Sequence, residues 1–530
     1  MNPGVPPTPN LSPPMGERCF ERRRRDDHLK GNAMKLRALP LLLALSCAGL
    51  PAAAQQLPLP DPMQAMQAAL RYYQMAAQAG DPEAQTKMGW IFENGLGVAK
   101  DLAKAAEWYG RAAQQKEPVG LYNLGLMFMR GQGVTQDMDQ AVKLMTGAAE
   151  LNMAAAQSQL AVLHEQGLGV PRDPALAAHW LRKAAELGDT PAQNNLAIKY
   201  ATGNGVPQDY KEAVVWFTKA AEAGNAEAQG NLGLIYRDGM GGVPQDLMAA
   251  ANWMALAGSQ GHVPSMNRLG WMFEKGQGLP RNMTEAVRWF RQAAEAGDPA
   301  SATHLGWLLE TGATGPADLS GALALYEKAA QAGDAAAQNN LGRLYREGQG
   351  VAQDFVKARE WFLKSAVQAE PLAWYNLGLM ADQGQGMDRN ETEAIDWLRK
   401  AAAQNVPAAQ SRLGWLLHKS GSTQDALGWL TKAAEAGDMA AQNNLGVIYE
   451  QGKGVAADAA MAAKWYRKAA EAGDRVAQHN LGVLYRDGIG VAKSEAEALD
   501  WLKKSADQGY AKAQLSLGQL YERMALQPPR

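Results

Sequence analysis

Cysteine, net charge and long apolar segments are all scarce in this sequence, and each shortage excludes a class of protein. Cys19 and Cys47 are the only cysteines, so neither a disulfide framework nor a metal site with several thiolate ligands is expected. The 52 basic and 54 acidic residues give a formal net charge of −2, which offers no electrostatic basis for nucleic acid or an anionic membrane as the main partner. No membrane span is expected after the N-terminal region, because no apolar segment there is long enough to cross a bilayer.

The most apolar run lies near the N-terminus and is typical of a secretory signal. Lys35 and Arg37 precede an apolar run over residues 39–45, and small residues then place an A-x-A cleavage site that ends at Ala54. The run is too short, and too interrupted by proline, for a membrane span. We therefore expect a periplasmic or secreted protein of the bacterial envelope.

Cleavage after Ala54 would remove both cysteines from the mature chain. Lipoprotein anchoring through Cys47 is not expected, because Ala44 and Leu45 fit a lipoprotein signal poorly. A signal peptide normally begins near the first residue, which leads to the hypothesis that the true start is Met34. The predicted division of the chain is an upstream disordered segment over 1–33, a signal peptide over 34–54, a linker over 55–60, a repeat array over 61–526 and a disordered tail over 527–530.

A Leu-Gly pair that returns every 36 residues is the dominant pattern of the sequence. The steps between successive glycines, or alanines in their place, are all 36 residues except one of 37 and one of 32. A self-similar period of this length is typical of a solenoid, in which small units bury their apolar faces only against neighbouring units. The positions are Gly89, Gly125, Ala161, Ala197, Gly233, Gly270, Gly306, Gly342, Gly378, Gly414, Gly446, Gly482 and Gly518.

Each unit contains two helical patterns joined by a glycine turn. Asp, Asn or a nearby small residue opens the first helix, as at Asp298, and Asp, Asn or Ser precedes the second, as at Asp318; such residues cap helix N-termini. The turn is usually Gly-x-Gly-Val, as in residues 452–455, where glycine supplies the positive φ that ends a helix. We expect the glycine of the Leu-Gly pair to let a neighbouring helix approach closely. We expect the Trp seven residues after the second cap, such as Trp465 after Asp458, to anchor the core of each hairpin.

This pattern resembles the Sel-like repeat (SLR) family, relatives of the tetratricopeptide repeats. In one unit the resemblance is carried by Ala441-Gln442-Asn443-Asn444-Leu445-Gly446, Tyr449, Gly452-Lys453-Gly454-Val455, Asp458, Trp465 and Ala469-Ala470, and it extends over about residues 61–526. It implies an all-α fold, a right-handed superhelical α/α solenoid of about twelve helical-hairpin repeats. The unit between Gly414 and Gly446 is four residues short, which is expected to alter the superhelical pitch or to admit a hinge.

Motifs of catalysis and of cofactor or metal binding are absent from the sequence. No G-x-x-x-x-G-K-[ST] motif accompanies the Gly-x-Gly segments, which recur wherever a hairpin bends and are interpreted as turns. The seven His show no H-x-x-x-H or H-E-x-x-H spacing, and there is no G-x-S-x-G nucleophile motif. We predict no catalytic residue, no metal site and no cofactor, and hence a protein that is not an enzyme.

Two positions of the first helix form the candidate binding site. They lie about 60° apart on a helical wheel and both point away from the Leu and Tyr face. In tetratricopeptide relatives the first helices line a concave groove, and the Asn before Leu-Gly contacts peptide backbone or carboxylate. The resemblance thus implies groove residues Asn123, Asn195, Asn231, Asn340, Asn376, Asn444 and Asn480 two positions before the glycine, and Trp90, Trp271, Trp307 and Trp415 one position after it.

These residues predict an exported scaffold or adaptor that binds a peptide or a protein partner in its groove. In a second interpretation the Asn side chains satisfy local backbone and the Trp side chains fill gaps between repeats. An enzyme acting on β-lactams or peptidoglycan is an alternative, because cysteine-rich SLR relatives are associated with that chemistry, although their paired cysteines are absent here. Polysaccharide binding is a third possibility, with the Trp rings as stacking platforms.

Overall fold

A computed structural model describes residues 62–313 and 315–525. The predicted segments 1–33, 34–54, 55–60 and 527–530 lie outside these residues. By its internal contacts the chain divides into two units, Met1–Ala68 and Ala69–Arg530. The described part of the first unit is the beginning of one helix, and the repeat array belongs to the second.

All regular structure in the described residues is helical. The α-helices are α1 (Pro62–Gln78), α2 (Pro82–Asn94), α3 (Leu102–Gln114), α4 (Pro118–Arg130), α5 (Met138–Glu150), α6 (Ala154–Gln166), α7 (Pro174–Glu186), α8 (Thr190–Thr202), α9 (Tyr210–Glu222), α10 (Ala226–Asp238), α11 (Leu247–Ser259), α12 (Val263–Lys275), α13 (Met283–Glu295), α14 (Pro299–Thr311), α15 (Leu319–Gln331), α16 (Ala335–Glu347), α17 (Phe355–Val367), α18 (Pro371–Gln383), α19 (Glu391–Ala403), α20 (Pro407–Lys419), α21 (Thr423–Glu435), α22 (Met439–Gln451), α23 (Ala459–Glu471), α24 (Arg475–Asp487), α25 (Glu495–Asp507) and α26 (Ala511–Ala525). A single 3₁₀ turn, Met240–Gly242, follows α10, where the sequence carries one extra glycine.

Twelve helical hairpins account for these helices, from α2 with α3 to α24 with α25. The even-numbered helices from α2 to α24 are the first helices of the hairpins, and the odd-numbered helices from α3 to α25 are the second helices. The helix α1 precedes the first hairpin, and α26 follows the last one at the position of a further first helix. The predicted all-α, superhelical repeat fold is confirmed.

Side-chain caps and left-handed glycines define the ends of the helices. The carboxylate of Asp81 accepts the N–H of Ala84 at 2.7 Å, and Asp101 does the same for Lys104 at 3.0 Å. Gly95 ends α2 with a φ of 70°, and equivalent glycines end all the other first helices up to α24 except α20. In α20, the first helix of the short repeat, Ser420 occupies that position with a φ of −79°.

The glycine of the Leu-Gly pair brings the two helices of a hairpin together, as predicted. A Cβ atom at Gly446 would lie 2.5 Å from the ring of Tyr466, and one at Gly270 would lie 2.7 Å from the ring of Phe290. Such distances are too short for a side chain, so only glycine permits this packing without displacement of the second helix.

The core anchor of each hairpin is the residue after the predicted Trp. Tyr109, Phe217, Phe290, Tyr326, Phe362 and Tyr466 are less than 2% exposed, and each follows the Trp position directly. Among the described second-helix Trp, only Trp180, Trp216 and Trp289 are buried. Most of the remaining rings lie under a basic side chain three residues later, such as Lys364 with its Nζ 3.9 Å from the ring centroid of Trp361. The expectation that the Trp anchors the core is therefore wrong for most hairpins. The anchor is the residue after the Trp, because the helix turns that residue toward the first helix.

Stacking of neighbouring hairpins builds the array. Buried apolar residues form a succession of clusters, each of which joins consecutive repeats. First helices of successive hairpins also contact each other directly, as α2 does with α4 and α20 with α22. The row of first helices is the tighter layer, which is the arrangement expected for the inner side of a curved array. No helix in the described part of the chain is both long and apolar enough to cross a membrane.

Candidate binding face of the first helices

The candidate groove residues all lie on the first helices, which confirms their placement in the repeat but not their role. We call the surface formed by the two groove positions of each first helix the inner face. Along it the Asn side chains differ in burial: Asn195 is exposed, Asn376 is buried, and the other five lie between these limits. Trp90 is 41% exposed, whereas Trp271, Trp307 and Trp415 are half-buried.

The two sets of groove residues belong to two kinds of repeat. In a first helix with Trp directly after the glycine, the residue two positions before the glycine is Lys, Arg or His and is never Asn. A first helix with Asn carries an aliphatic residue or Arg343 after the glycine. The Trp repeats contain the pairs Lys87 and Trp90, Arg268 and Trp271, His304 and Trp307, and Arg412 and Trp415. Positions i and i+3 are neighbours on a helix, so each pair forms one surface. The sequence therefore divides the predicted groove residues into two sets that occupy different first helices.

Repeats six and seven join two of these pairs into a continuous aromatic stack. The imidazole of His304 lies 4.0 Å from the ring of Trp271, tilted by 35°, and 5.5 Å from the ring of Trp307, within 20° of parallel. Phe290 from the second helix α13 supports both Trp271 and His304 edge-on, at 5.4 and 4.8 Å. The stack crosses from α12 to α14 on the inner face.

A buried carboxylate lies behind the stack. Glu274 has a side chain that is 8% exposed, and its two oxygens accept from Nε2 of His304 at 2.6 Å and from Nζ of Lys275 at 2.8 Å. Burial alone would raise the pKa of Glu274, but these two hydrogen bonds outweigh it and lower the pKa. Glu274 is therefore ionised at neutral pH and fixes the orientation of the imidazole.

Similar acid–base pairs connect other first helices. Both carboxylate oxygens of Glu310 in α14 accept from the same nitrogen, Nη2 of Arg343 in α16, at 2.5 and 2.7 Å. The buried Asp382 of α18 accepts from Arg412 of α20. Both carboxylates are hydrogen-bonded to an arginine of the next first helix, so each pair is a stabilising contact between neighbouring repeats.

Buried tyrosines donate to carboxylates in the last turn of several first helices. Burial, and then the adjacent carboxylate, raises the pKa of each of these phenols, so they remain protonated donors. The pairs are Tyr109 with Glu93 at 2.8 Å, Tyr326 with Glu310 at 2.9 Å and Tyr466 with Glu450 at 2.6 Å.

Two of the predicted Asn residues are used for packing between repeats. Nδ2 of Asn376 donates to Asn339 at 2.9 Å, and its Oδ1 accepts from Arg346 at 2.8 Å. Nδ2 of Asn480 donates to Asn443 at 3.1 Å. In both cases the acceptor is an Asn on the preceding first helix, three positions before its glycine.

Other Asn side chains of the inner face have free hydrogen-bonding groups. Asn195, Asn340 and Asn444 make no side-chain hydrogen bond to any residue that the structure describes. Asn231 makes none either, but the Oδ1 of Asn194, in the acceptor position of the preceding helix, is buried and unpaired. Asn195, Asn340 and Asn444 therefore keep unused donor and acceptor groups on the inner face. No cluster of three metal-ligating side chains occurs among residues 62–313 and 315–525.

Comparison with known proteins identifies the repeat. The family model of the Sel1 repeat matches thirteen segments: 63–81, 82–117, 118–153, 154–189, 190–225, 226–262, 263–298, 299–334, 335–368, 371–406, 407–438, 440–474 and 475–510. The first is a half unit and the other twelve correspond to the hairpins, in agreement with the expected number of about twelve. No curated protein matches the chain.

Two solved structures have similar sequences. One is c5321, a protective antigen present in uropathogenic Escherichia coli strains that displays an SLR fold; it is 32% identical over 86% of this chain and 90% of its own length, with a TM-score of 0.60. Another is a Sel1 repeat protein from Oxalobacter formigenes, 32% identical over 44% of this chain and 94% of its own, with a TM-score of 0.36. Family and fold support a role as a protein-interaction scaffold, and the chain belongs to the Sel1 repeat family.

Proposed function

We propose that this protein is an exported scaffold of the bacterial envelope that holds an extended segment of a protein partner along its inner face. The observation that carries the proposal is the set of unpaired amides at equivalent positions of α8, α16 and α22, at Asn195, Asn340 and Asn444. A carboxamide offers two donors and one acceptor, which suits the alternating N–H and C=O groups of an extended main chain.

The spacing of the first helices also suits a peptide. Packed helices lie roughly 8–10 Å apart, and an extended chain advances about 3.3 Å per residue. One first helix therefore corresponds to about three residues of an extended partner. Because Asn occurs in some first helices and the Trp pairs in others, polar backbone contacts and apolar side-chain contacts would fall at different points along such a ligand.

The enzyme alternative has less support on this face. An enzyme acting on β-lactams or peptidoglycan needs an activated nucleophile, or a general base that can accept a proton from substrate or water. The carboxylates Glu274, Glu310 and Asp382 are instead hydrogen-bonded to basic side chains within the array. Turnover of a chromogenic β-lactam or of muropeptides by the purified chain, above a heat-inactivated control, would contradict the scaffold proposal.

Binding is tested by a triple substitution, Asn195→Ala, Asn340→Ala and Asn444→Ala. We expect partner capture from envelope extracts to be lost while the thermal unfolding midpoint stays close to that of the wild type. The matched control is Asn376→Ala, which removes a packing amide and should lower the midpoint. A triple variant that unfolds early and still captures the same partners would contradict the proposal.

Export is tested separately from binding. Expression of the full-length gene with a C-terminal tag, followed by fractionation and N-terminal sequencing, should yield a periplasmic or secreted chain that begins at Gln55. A cytoplasmic protein that keeps residues before Ala54 would contradict the proposed location.

A further inference from the structure

The aromatic stack of repeats six and seven is the largest ring cluster on the inner face of the described residues. It contains the indoles of Trp271 and Trp307 with the imidazole of His304 between them. The ring distances of 4.0 and 5.5 Å place the two indoles at most about 9.5 Å apart. Phe290 and the bonded Glu274 hold the stack from behind, so its geometry exists before any ligand binds.

The carboxylates beside the stack are paired with basic side chains. Glu274 is paired with His304 and Lys275, and Glu310 is paired with Arg343. An anionic or cationic ligand group would have to compete with these pairs, whereas an uncharged apolar ring would leave them intact. The stack therefore favours an uncharged segment with flat or ring-shaped side chains.

The two indoles lie at most about 9.5 Å apart, which is compatible with one turn of a polyproline II helix. That conformation has three residues per turn and a rise of about 3.1 Å, so it presents the same face every 9 Å or so. Neighbouring first helices are spaced similarly, and polyproline II ligands generally dock on aromatic-lined grooves. A proline-containing segment has fewer N–H donors than carbonyl acceptors, and the unpaired amide of Asn340 offers a donor on the next first helix.

We propose that the Trp271–His304–Trp307 stack docks a proline-containing segment of the partner in polyproline II conformation. This inference rests on the proposed function, since it specifies the chemistry of the segment that the inner face holds. The occupant is an uncharged stretch with proline at every third position, placed so that successive rings contact the two indoles.

The test is selection of random dodecapeptides, displayed on phage, on the immobilised full chain. The test variant is Trp271→Leu with Trp307→Leu, because Leu126, Leu234 and Leu379 occupy this position in other repeats. The control variant is Trp465→Leu with Trp501→Leu on the second helices, where Leu144 and Leu325 occupy the equivalent position. Circular dichroism at 222 nm and thermal unfolding establish that both variants keep the fold.

We expect the wild type and the control variant to enrich peptides with prolines spaced three apart. The same synthetic peptide should bind the test variant at least tenfold more weakly in fluorescence anisotropy, and replacement of its prolines with alanine should abolish binding to the wild type. If the test variant enriches the same peptides with prolines spaced three apart, the inference is overturned.

Two further outcomes separate this inference from the proposed function. Peptides without proline whose binding depends on any one of Asn195, Asn340 and Asn444 would overturn the proline segment but support a peptide-binding face. Selection of no peptide at all would contradict both. A separate titration with chito-oligosaccharides tests sugar binding. Sugar binding by the wild type that the test variant loses would identify the stack as a glycan-binding site and overturn the inference.

Discussion

A single missing methyl group determines how closely the two helices of a hairpin pack. At Gly446 a Cβ atom would lie 2.5 Å from the ring of Tyr466, which is itself fully buried and hydrogen-bonded to Glu450. The ring cannot move aside without breaking that hydrogen bond. At Gly518, on the last helix, a Cβ atom would meet no heavy atom within 4 Å. The same residue type thus has opposite roles at equivalent positions.

We predict opposite effects for Gly446→Ala and Gly518→Ala. The first overpacks the core and should destabilise its repeat by about 1–3 kcal/mol. The second replaces a glycine in an open helix and should stabilise by roughly 0.5–1 kcal/mol through helix propensity. Urea unfolding followed by circular dichroism measures both, and equal effects of the two substitutions would contradict the packing argument.

A lysine occupies a position that is apolar elsewhere on the first helices. Lys199 has a side chain that is 8% exposed, and Nζ lies 2.6 Å from the carboxylate of Glu165 on the preceding first helix. Burial would raise the pKa of Glu165, but the hydrogen bonds from Lys199 and Asn204 outweigh it and lower the pKa. Leu163 and Ile235 occupy the equivalent position of the adjacent first helices.

We predict that Glu165→Gln is strongly destabilising and that adding Lys199→Met reverses the loss. The single variant leaves a buried ammonium group without its counter-ion, which typically costs about 3–5 kcal/mol, whereas an apolar replacement of the pair is often neutral. The pKa of Glu165 is lowered on folding, so its contribution is present above the unfolded-state pKa of about 4.3. It is lost as pH falls through the folded-state pKa. Unfolding curves recorded from pH 7 downward should show a variant difference that is full at pH 7 and shrinks as pH falls below the unfolded-state pKa.

Consecutive first helices are also joined through their N-caps. The carboxylate of Asp334 caps α16 by accepting the N–H of Ala337 at 2.8 Å, and it accepts the hydroxyl of Thr303 from the preceding first helix at 2.9 Å. Burial, followed by repulsion from Asp298, nevertheless raises the pKa of Asp334. The ionised cap is therefore less favourable in the folded state than in the unfolded chain.

We predict that Asp334→Asn keeps the cap and stabilises the protein at pH 7, because Asn is an equally good N-cap and carries no charge. Asn225 already caps α10 in this way, accepting from Ala228 at 2.8 Å. A raised folded-state pKa gives a penalty that is absent at low pH and appears as pH rises through that pKa. The gain should therefore vanish under acid conditions. Asp101→Asn is the control, since the N–H of Lys104 lowers the pKa of that exposed cap and no gain is expected there.

The helices and their ends were predictable from sequence because each depends on local chemistry. Capping side chains, left-handed glycines and the Leu-Gly spacing act within one or two turns, and they recur in most units. The core anchor was less predictable, because the Trp and the residue after it are both apolar. Only the direction in which the helix turns them decides which is buried, as Trp465 and Tyr466 illustrate.

The use of each groove Asn depends on contacts between repeats, which the period does not report. Asn376 and Asn340 occupy the same position, yet Asn376 follows a repeat with Asn339 and is bonded to it, while Asn340 follows a repeat with Thr303 and stays free. The residue three positions before the glycine of the preceding repeat therefore supplies part of the missing information. It is not sufficient, because Asn231 follows a repeat with Asn194 in that position and the two side chains are not hydrogen-bonded.

At the scale of the whole molecule, stability and binding should be separable because contacts are local. Each hairpin packs against its sequence neighbours, and buried clusters join only consecutive repeats. In such an array the free energy of unfolding is approximately a sum of repeat and interface contributions. Deletion of one complete repeat should then leave the array folded if the two repeats that come into contact have the same residues at their interface.

Deletion of residues 439–474 provides this test. It removes α22 and α23 together and leaves Asp438 in place of Asp474 as the cap of α24, after the same Ala-Gly-Asp sequence. We predict a folded chain with less helical signal, a modestly lower urea midpoint and unchanged peptide binding at Trp271 and Trp307, because that stack lies several repeats away. Deletion of residues 457–474 is the matched control, since it removes only the second helix and leaves two first helices in succession. The full-repeat deletion should retain a cooperative urea unfolding transition, and the half-repeat deletion should lose it. If both deletions abolish the transition, the array folds as one indivisible unit and the prediction is contradicted.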